Sequence, residues 1–465
     1  MSENIDNNET APEEKLDFQR ILPIFVIVLV DLMGLTIIIP LLPLYAASYG
    51  ASPAMIGALG ATYPLLQFAA APVLGRLSDR YGRKPVLVIS QIGTFVGFIL
   101  LGMANALPML FISRAIDGIS GGNIATAQAA ITDSTTEKTR TQGLGLIGAA
   151  FGLGFILGPV IAFAALAISD NNYAWPAFIA AAFSLISIFL TAFLFKETLP
   201  KEQRGADSDR ASFSFRSLFA ALVHPAVGLL LLLMFTQQLA FGGVQQLLAL
   251  FTLTTLGINA SGNAIVFVFV GVIVVAVQGF FIGRWSRRLG DRRLVYGGLA
   301  LLAVGLVLLA FTPRQAVPWY SEAELAEELS GGRELPGEIP VTQNLSIDIP
   351  QESSRGWLGI AWILISMIPL AVGGGILQPA INSLITKRVE PEEVGGMLGI
   401  SVSFTSAANA LAPLIGGVMF QVIGPRSPFL VGGIIMALLL VLALSRLDAG
   451  REEAVGPGMA RGGGH

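Results

Sequence analysis

Gly75-Arg76-Leu77-Ser78-Asp79-Arg80-Tyr81-Gly82-Arg83-Lys84 stands between two apolar stretches of membrane length, about 54–74 and 85–105. One acid sits among four cations, and two glycines can bend the chain. A weaker copy follows 208 residues later: Gly283-Arg284-Trp285-Ser286-Arg287-Arg288-Leu289-Gly290-Asp291-Arg292. Gly75, Arg80, Gly82 and Lys84 fall on Gly283, Arg288, Gly290 and Arg292, whereas Asp79 falls on Arg287. A charged turn repeated between apolar spans marks a duplicated membrane half.

Composition agrees. Hydrophobic residues make up 54% of the chain, charged residues 13%, and the mean hydropathy is +0.72. A soluble domain carries about 25% charge. The net charge of −3 argues against nucleic acid, which needs a basic face. The chain has no Cys, and its histidines are His224 and His465. Thiol catalysis is excluded, no metal site is expected, and no nucleophile–base pair or phosphate loop suggests an enzyme. The acidic N-terminus lacks the basic start of a cleavable signal.

A crossing needs ~20 predominantly apolar residues. Twelve candidates lie at about 21–45, 54–74, 85–105, 107–131, 143–168, 174–195, 225–250, 262–283, 294–312, 357–385, 394–422 and 428–445. The expected fold is an all-α integral membrane protein of two pseudo-symmetric six-helix bundles. If both termini are cytoplasmic, 23 of the 28 Lys and Arg lie on that side and four on the other, with Arg114 inside a span. That asymmetry places both ends in the cytoplasm.

The repeat continues beyond the loop with a new offset. Gly121, Gly145 and Pro159 align with Gly375, Gly399 and Pro413, each 254 residues on. The change of offset locates an acidic insertion near 313–356, which a bundle should not need in order to fold. The expected organisation is a tail at 1–20, bundles at 21–196 and 224–446, a charged linker at 197–223 and a disordered tail at 447–465.

Asp31 lies about ten residues into the first span, roughly 15 Å deep at 1.5 Å per residue. A carboxylate there costs at least ~2.5–3.5 kcal/mol, so it should face a cavity or a partner. It is a candidate proton site, with a structural acid as the alternative. Arg114 and Asp117 are three apart on the fourth span and share a helix face. They either neutralise each other or take part in proton transfer. Gly154, Gly158 and Pro159 on the fifth span suit close packing with a bend. In the second half no acid lies deep in a span. Gln237, Gln238, Gln245, Gln378 and Asn382 are candidate substrate contacts, with interhelical hydrogen bonding as the alternative.

The charged turn resembles the cytoplasmic loop signature of the major facilitator superfamily. The run from Asp31 to Pro43 resembles the first helix of tetracycline-exporter-like members, and Gly148–Pro159 resembles the antiporter signature. The resemblance covers about 21–446 and implies proton-driven export of a small amphipathic molecule, with a metabolite facilitator or symporter as the alternative and a non-transporting membrane sensor as a distant third. It implies a gate built from Gly75, Asp79, Arg80, Gly82, Arg83 and Asp133. Asp79 would face the eleventh helix near Pro391-Glu392-Glu393, and Arg83 would pair with Asp133, locking an outward-open state. It implies no cofactor beyond a proton gradient, and a monomer in the cell inner membrane with small-molecule substrate, protons and lipid as partners.

Overall fold

Proline and glycine set where the helices start and stop. The computed structural model describes residues 18–121, 123–135, 137–204, 221–225, 227–325, 349–389 and 394–447. The tails at 1–17 and 448–465, most of the charged linker, 326–348 and 390–393 lie outside the described residues.

The first half contains α1 (Phe18–Ile38), α2 (Leu42–Ala47), α3 (Pro53–Tyr81), α4 (Arg83–Gly102), α5 (Leu107–Ser120), α6 (Asn123–Asp133), α7 (Glu137–Ile168) and α8 (Ala174–Phe193). The expected first span is therefore two helices. Pro40 has no N–H to continue α1, and Pro43 opens α2. The fourth span is likewise interrupted beyond Ser120. Gly121 N–H closes onto Asp117 O at 2.6 Å, and a Cβ on Gly121 would come within 2.5 Å of the Tyr63 hydroxyl. Ser52 caps α3 by accepting from Met55 N–H, and Pro53 begins it.

The second half contains α9 (Gly228–Leu256), α10 (Ala260–Ala276), a π turn (Val277–Phe281), α11 (Ile282–Leu289), α12 (Asp291–Ala310), α13 (Leu358–Arg388), α14 (Val394–Val422) and α15 (Ser427–Arg446). Asn259 caps α10. Among the described residues, ten helices are long and apolar enough to cross a membrane. The other two expected crossings coincide with α5–α6 and with α7, whose Gly152–Ile168 portion is apolar.

Two seams join the halves, α3 against α14 and α7 against α10. At Gly57 an added Cβ would lie 2.2 Å from Pro413 O and 3.0 Å from Gly417 Cα. Ala54 N–H donates to Gln421 Oε1 at 3.1 Å, and Ser261 Oγ donates to Asn171 Oδ1 at 2.9 Å. These contacts shut the end that carries α2. Toward the termini, an added Cβ at Gly75 or Gly279 meets nothing within 4 Å among the described residues.

The flanks of the inserted segment are built into the bundle, contrary to the expectation that all of 313–356 is dispensable. Ala316, Val317, Tyr320 and Leu325 are buried. Val317 N–H donates to Leu256 O, and Gly356 N–H to Ala316 O. The Tyr320 ring covers Gly257, whose φ of 64° favours glycine. Burial, with Glu322 and Glu352 nearby, pushes the Tyr320 phenol up to about 12. The bundle supplies the apolar surface that the acidic segment lacks. We expect Tyr320→Ala to destabilise the purified protein by roughly 3 kcal/mol, as large-to-small core changes do. Excision of 326–348 alone should cost much less. Thermal unfolding in detergent checks both, and equal losses would contradict the assignment.

Candidate functional site

Helix α1 carries Asp31 into the interior of the first half, where it lines two small cavities. One is bounded by Ile24, Val28, Leu87 and Gln91, the other by Tyr63, Thr94, Phe98 and Asp117. Their volumes are about 20 and 10 Å³, room for about one water each and far too little for a drug. Arg114 and Asp117 form a buried ion pair on α5, each side chain 3% exposed. The Arg114 guanidinium also stands 5.0 Å from the centre of the Tyr63 ring. Tyr63 in turn accepts from Gln67 Nε2 at 3.1 Å, and Gln67 donates to Gly121 O at 2.6 Å.

Asp31, Tyr63 and Asp117 thus bound one water-sized space between α1, α3 and α5, with Arg114 behind it. An aspartate on each side of a water can exchange a proton through it, and the Arg114 guanidinium is ion-paired with one of them. The fifth-span glycines pack on α1. A Cβ on Gly158 would come within 2.3 Å of Thr36 Oγ1, and one on Gly154 within 3.5 Å. The glycines let α7 press against α1 one turn beyond Asp31.

At the termini end, Gly82 turns the chain between α3 and α4 with φ of 105°. Arg83 is buried beneath this turn. It donates to Asp133 Oδ2 at 2.9 Å, to Asp79 Oδ1 at 2.5 Å and to Ser78 Oγ at 2.8 Å. The helix-eleven start that Asp79 was expected to face lies outside the described residues. Arg80 is exposed and stacks near Tyr81. The Arg83–Asp133 pair is intact while the α2 end is shut. It ties α4 to α6 within the first half.

Three comparisons bear on this arrangement. The Major Facilitator Superfamily model matches residues 24–323 and 355–462. The chain belongs to the major facilitator superfamily. Its break in matching falls on the inserted segment. The chain is 29% identical over 399 residues to the class B tetracycline resistance protein of Escherichia coli, covering 85% of this chain and 87% of that one. It is 26% identical over 414 residues to multidrug resistance protein 1 of Bacillus subtilis, covering 89% and 92%. Two solved structures share the fold. They are the human organic anion transporter MFSD10 (TM-score 0.62, 21% identity, 91% of this chain, 99% of that one) and the nucleoside transporter NupG (TM-score 0.65, 11% identity, 92% and 99%). The protein is a multi-pass secondary transporter of small molecules, not an enzyme.

In this transporter the second-half amides divide. Gln237 and Gln238 are buried on α9, and Gln238 Nε2 donates to Asn409 Oδ1 at 2.7 Å. Gln237 Oε1 and Asn382 Oδ1 are buried without a hydrogen-bond partner among the described residues. Gln245 is half-buried, and Gln378 is exposed on α13. The sequence reading missed two residues. Glu197 accepts from Arg83 N–H at 2.9 Å and Lys84 N–H at 3.2 Å, satisfying the first amides of α4. Its only sequence signal was an acid just past the sixth span. Tyr63 carried no signal, because one aromatic in an apolar span is unremarkable.

Proposed function

We propose that this transporter is a proton-coupled antiporter that exports a small amphipathic molecule, taking tetracycline as the first compound to test. The observation that carries it is the cluster of half-buried Asp31 and Tyr63 with buried Asp117 and Arg114 around a water-sized space. Such a cluster can carry a proton but is too small to hold a drug. The larger ligand is left to the cleft between the halves, where the second half offers neutral amides and apolar side chains. The likeness to tetracycline and multidrug resistance proteins supports the same reading. The proton gradient is its sole energy source, without a cofactor, and the monomer sits in the cell inner membrane with both termini cytoplasmic. The asymmetry of 23 cations to four supports that orientation. The α2 end is then external, and the structure is shut on the outside.

Asp31→Asn removes the titrating group while keeping its shape. In inverted vesicles we expect substrate addition to release protons through the wild type and not through the variant, with unchanged expression. A variant that still exchanges protons for substrate at the wild-type rate overturns the assignment. Proton movement in the same direction as substrate would favour a symporter instead.

A further inference from the structure

Both halves carry a tie at the termini end, and the second is the first with every charge reversed. In the first half the buried Arg83 meets Asp79 and Asp133. In the second, 208 residues after Arg83, stands Asp291, 2% exposed. It accepts from Lys387 Nζ at 2.6 Å, and Lys387 follows Asp133 by 254 residues. The position of Asp79 holds Arg287. The two offsets are those that relate the halves, so the charge is reversed at all three positions, and of the two second-half bases Lys387 is the one that pairs with Asp291.

The scaffold around the two ties is the same. Gly82 and Gly290 turn the chain with φ of 105° and 78° and ψ of 158° and 151°. One turn before each stands a serine, and it changes role with the charge. Ser78 Oγ accepts from Arg83, whereas Ser286 Oγ donates to Asp291 at 2.5 Å. A hydroxyl can do either, so one residue type serves both polarities. Ser383 Oγ adds a further donor to Asp291 at 2.5 Å. Reversal also changes the capping need. An acid opening α12 suits the positive end of the helix, whereas Arg83 opening α4 does not and lies beside the carboxylate of Glu197.

We propose that Asp291 and Lys387 form a second latch, which fixes the α11–α12 turn to the end of α13 so that the second half moves as one body during transport. They are positioning residues, and their effect on transport rests on the antiporter reading above. Lys387 is half-exposed and Asp291 buried, so the pair resembles Asp133 with Arg83 in both geometry and asymmetry of burial.

Charge exchange tests it. A buried charge left without its partner is strongly destabilising, so we expect Asp291→Arg or Lys387→Asp alone to slow transport about tenfold or more. Asp291→Arg with Lys387→Asp recreates the first-half polarity, with Ser286 turning to accept. It should transport faster than either single variant. Full recovery is not expected, because the new arginine opens α12 without an acid in the place of Glu197. The chain has no native cysteine, so spin labels at Arg288→Cys and Thr386→Cys read the latch directly. Single variants should broaden the label distance, and the exchange should narrow it. Lys387→Gln changes a half-exposed side chain and keeps the test usable if the arginine variant does not fold. Unchanged distances in Lys387→Gln, or an exchange variant no better than either single one, overturn the proposal. A wild type without proton coupling would sink the antiporter reading and leave the label distances to decide the latch.

Discussion

Gly57→Val is expected to abolish transport while leaving the protein folded. The outer seam leaves no room for a side chain at this position. A Cβ there would lie 2.2 Å from Pro413 O, and the neighbours are backbone atoms of α14 that cannot rotate away. The contact is reciprocal, since a Cβ on Gly417 would lie 2.7 Å from Pro53 O. Valine is tolerated only if α3 and α14 separate, which opens the external end. A cost of about 3 kcal/mol, the upper end of ordinary overpacking, already lowers the population of the shut state about 100-fold. A carrier that cannot shut one side cannot alternate. Each half packs largely on itself, so folding should survive. Labels at Met55→Cys and Val418→Cys, both exposed near the seam, should shift to longer distances in the valine variant. Gly297→Ala, where the added atom meets nothing within 4 Å, should leave distances and transport as in the wild type. A Gly57→Val protein that transports normally would show that the seam is not a gate.

The halves, the charged turn and its degraded copy were legible because each rests on a short local pattern. Glycine, charge and apolar length are all one-dimensional signals, and Arg83–Asp133 follows once the turn is recognised. What was illegible depended on packing between distant segments. Tyr63 matters only because α3 passes beside Arg114 on α5. The flanks of the insertion looked expendable by composition, but Tyr320 finds its cover on Gly257, 63 residues earlier. Asp291 was read as part of a weakened loop copy that had lost its acid. The 208-residue offset already set Asp291 on Arg83, but only the contact with Lys387 shows that it takes a base as its partner.

Arg114 and Asp117 give the second large effect, and a double variant separates their two roles. The pair is fully inside the first half, and removing either member leaves a buried charge unmatched. Arg114→Met or Asp117→Leu alone should therefore destabilise the protein by about 3–5 kcal/mol and stop transport. Replacing both together removes the unmatched charge and fills the space with apolar side chains. Such replacements are often neutral or stabilising, so thermal stability should return near to the wild type. Transport should not return. The guanidinium that stands over Tyr63 is gone, and so is the carboxylate that faces Asp31 across the water-sized space. A stable double variant with no proton-driven uptake into inverted vesicles therefore assigns the pair to coupling. A stable double variant that still moves substrate against its gradient would reduce the pair to a structural neutralisation and leave Asp31 to carry the proton alone.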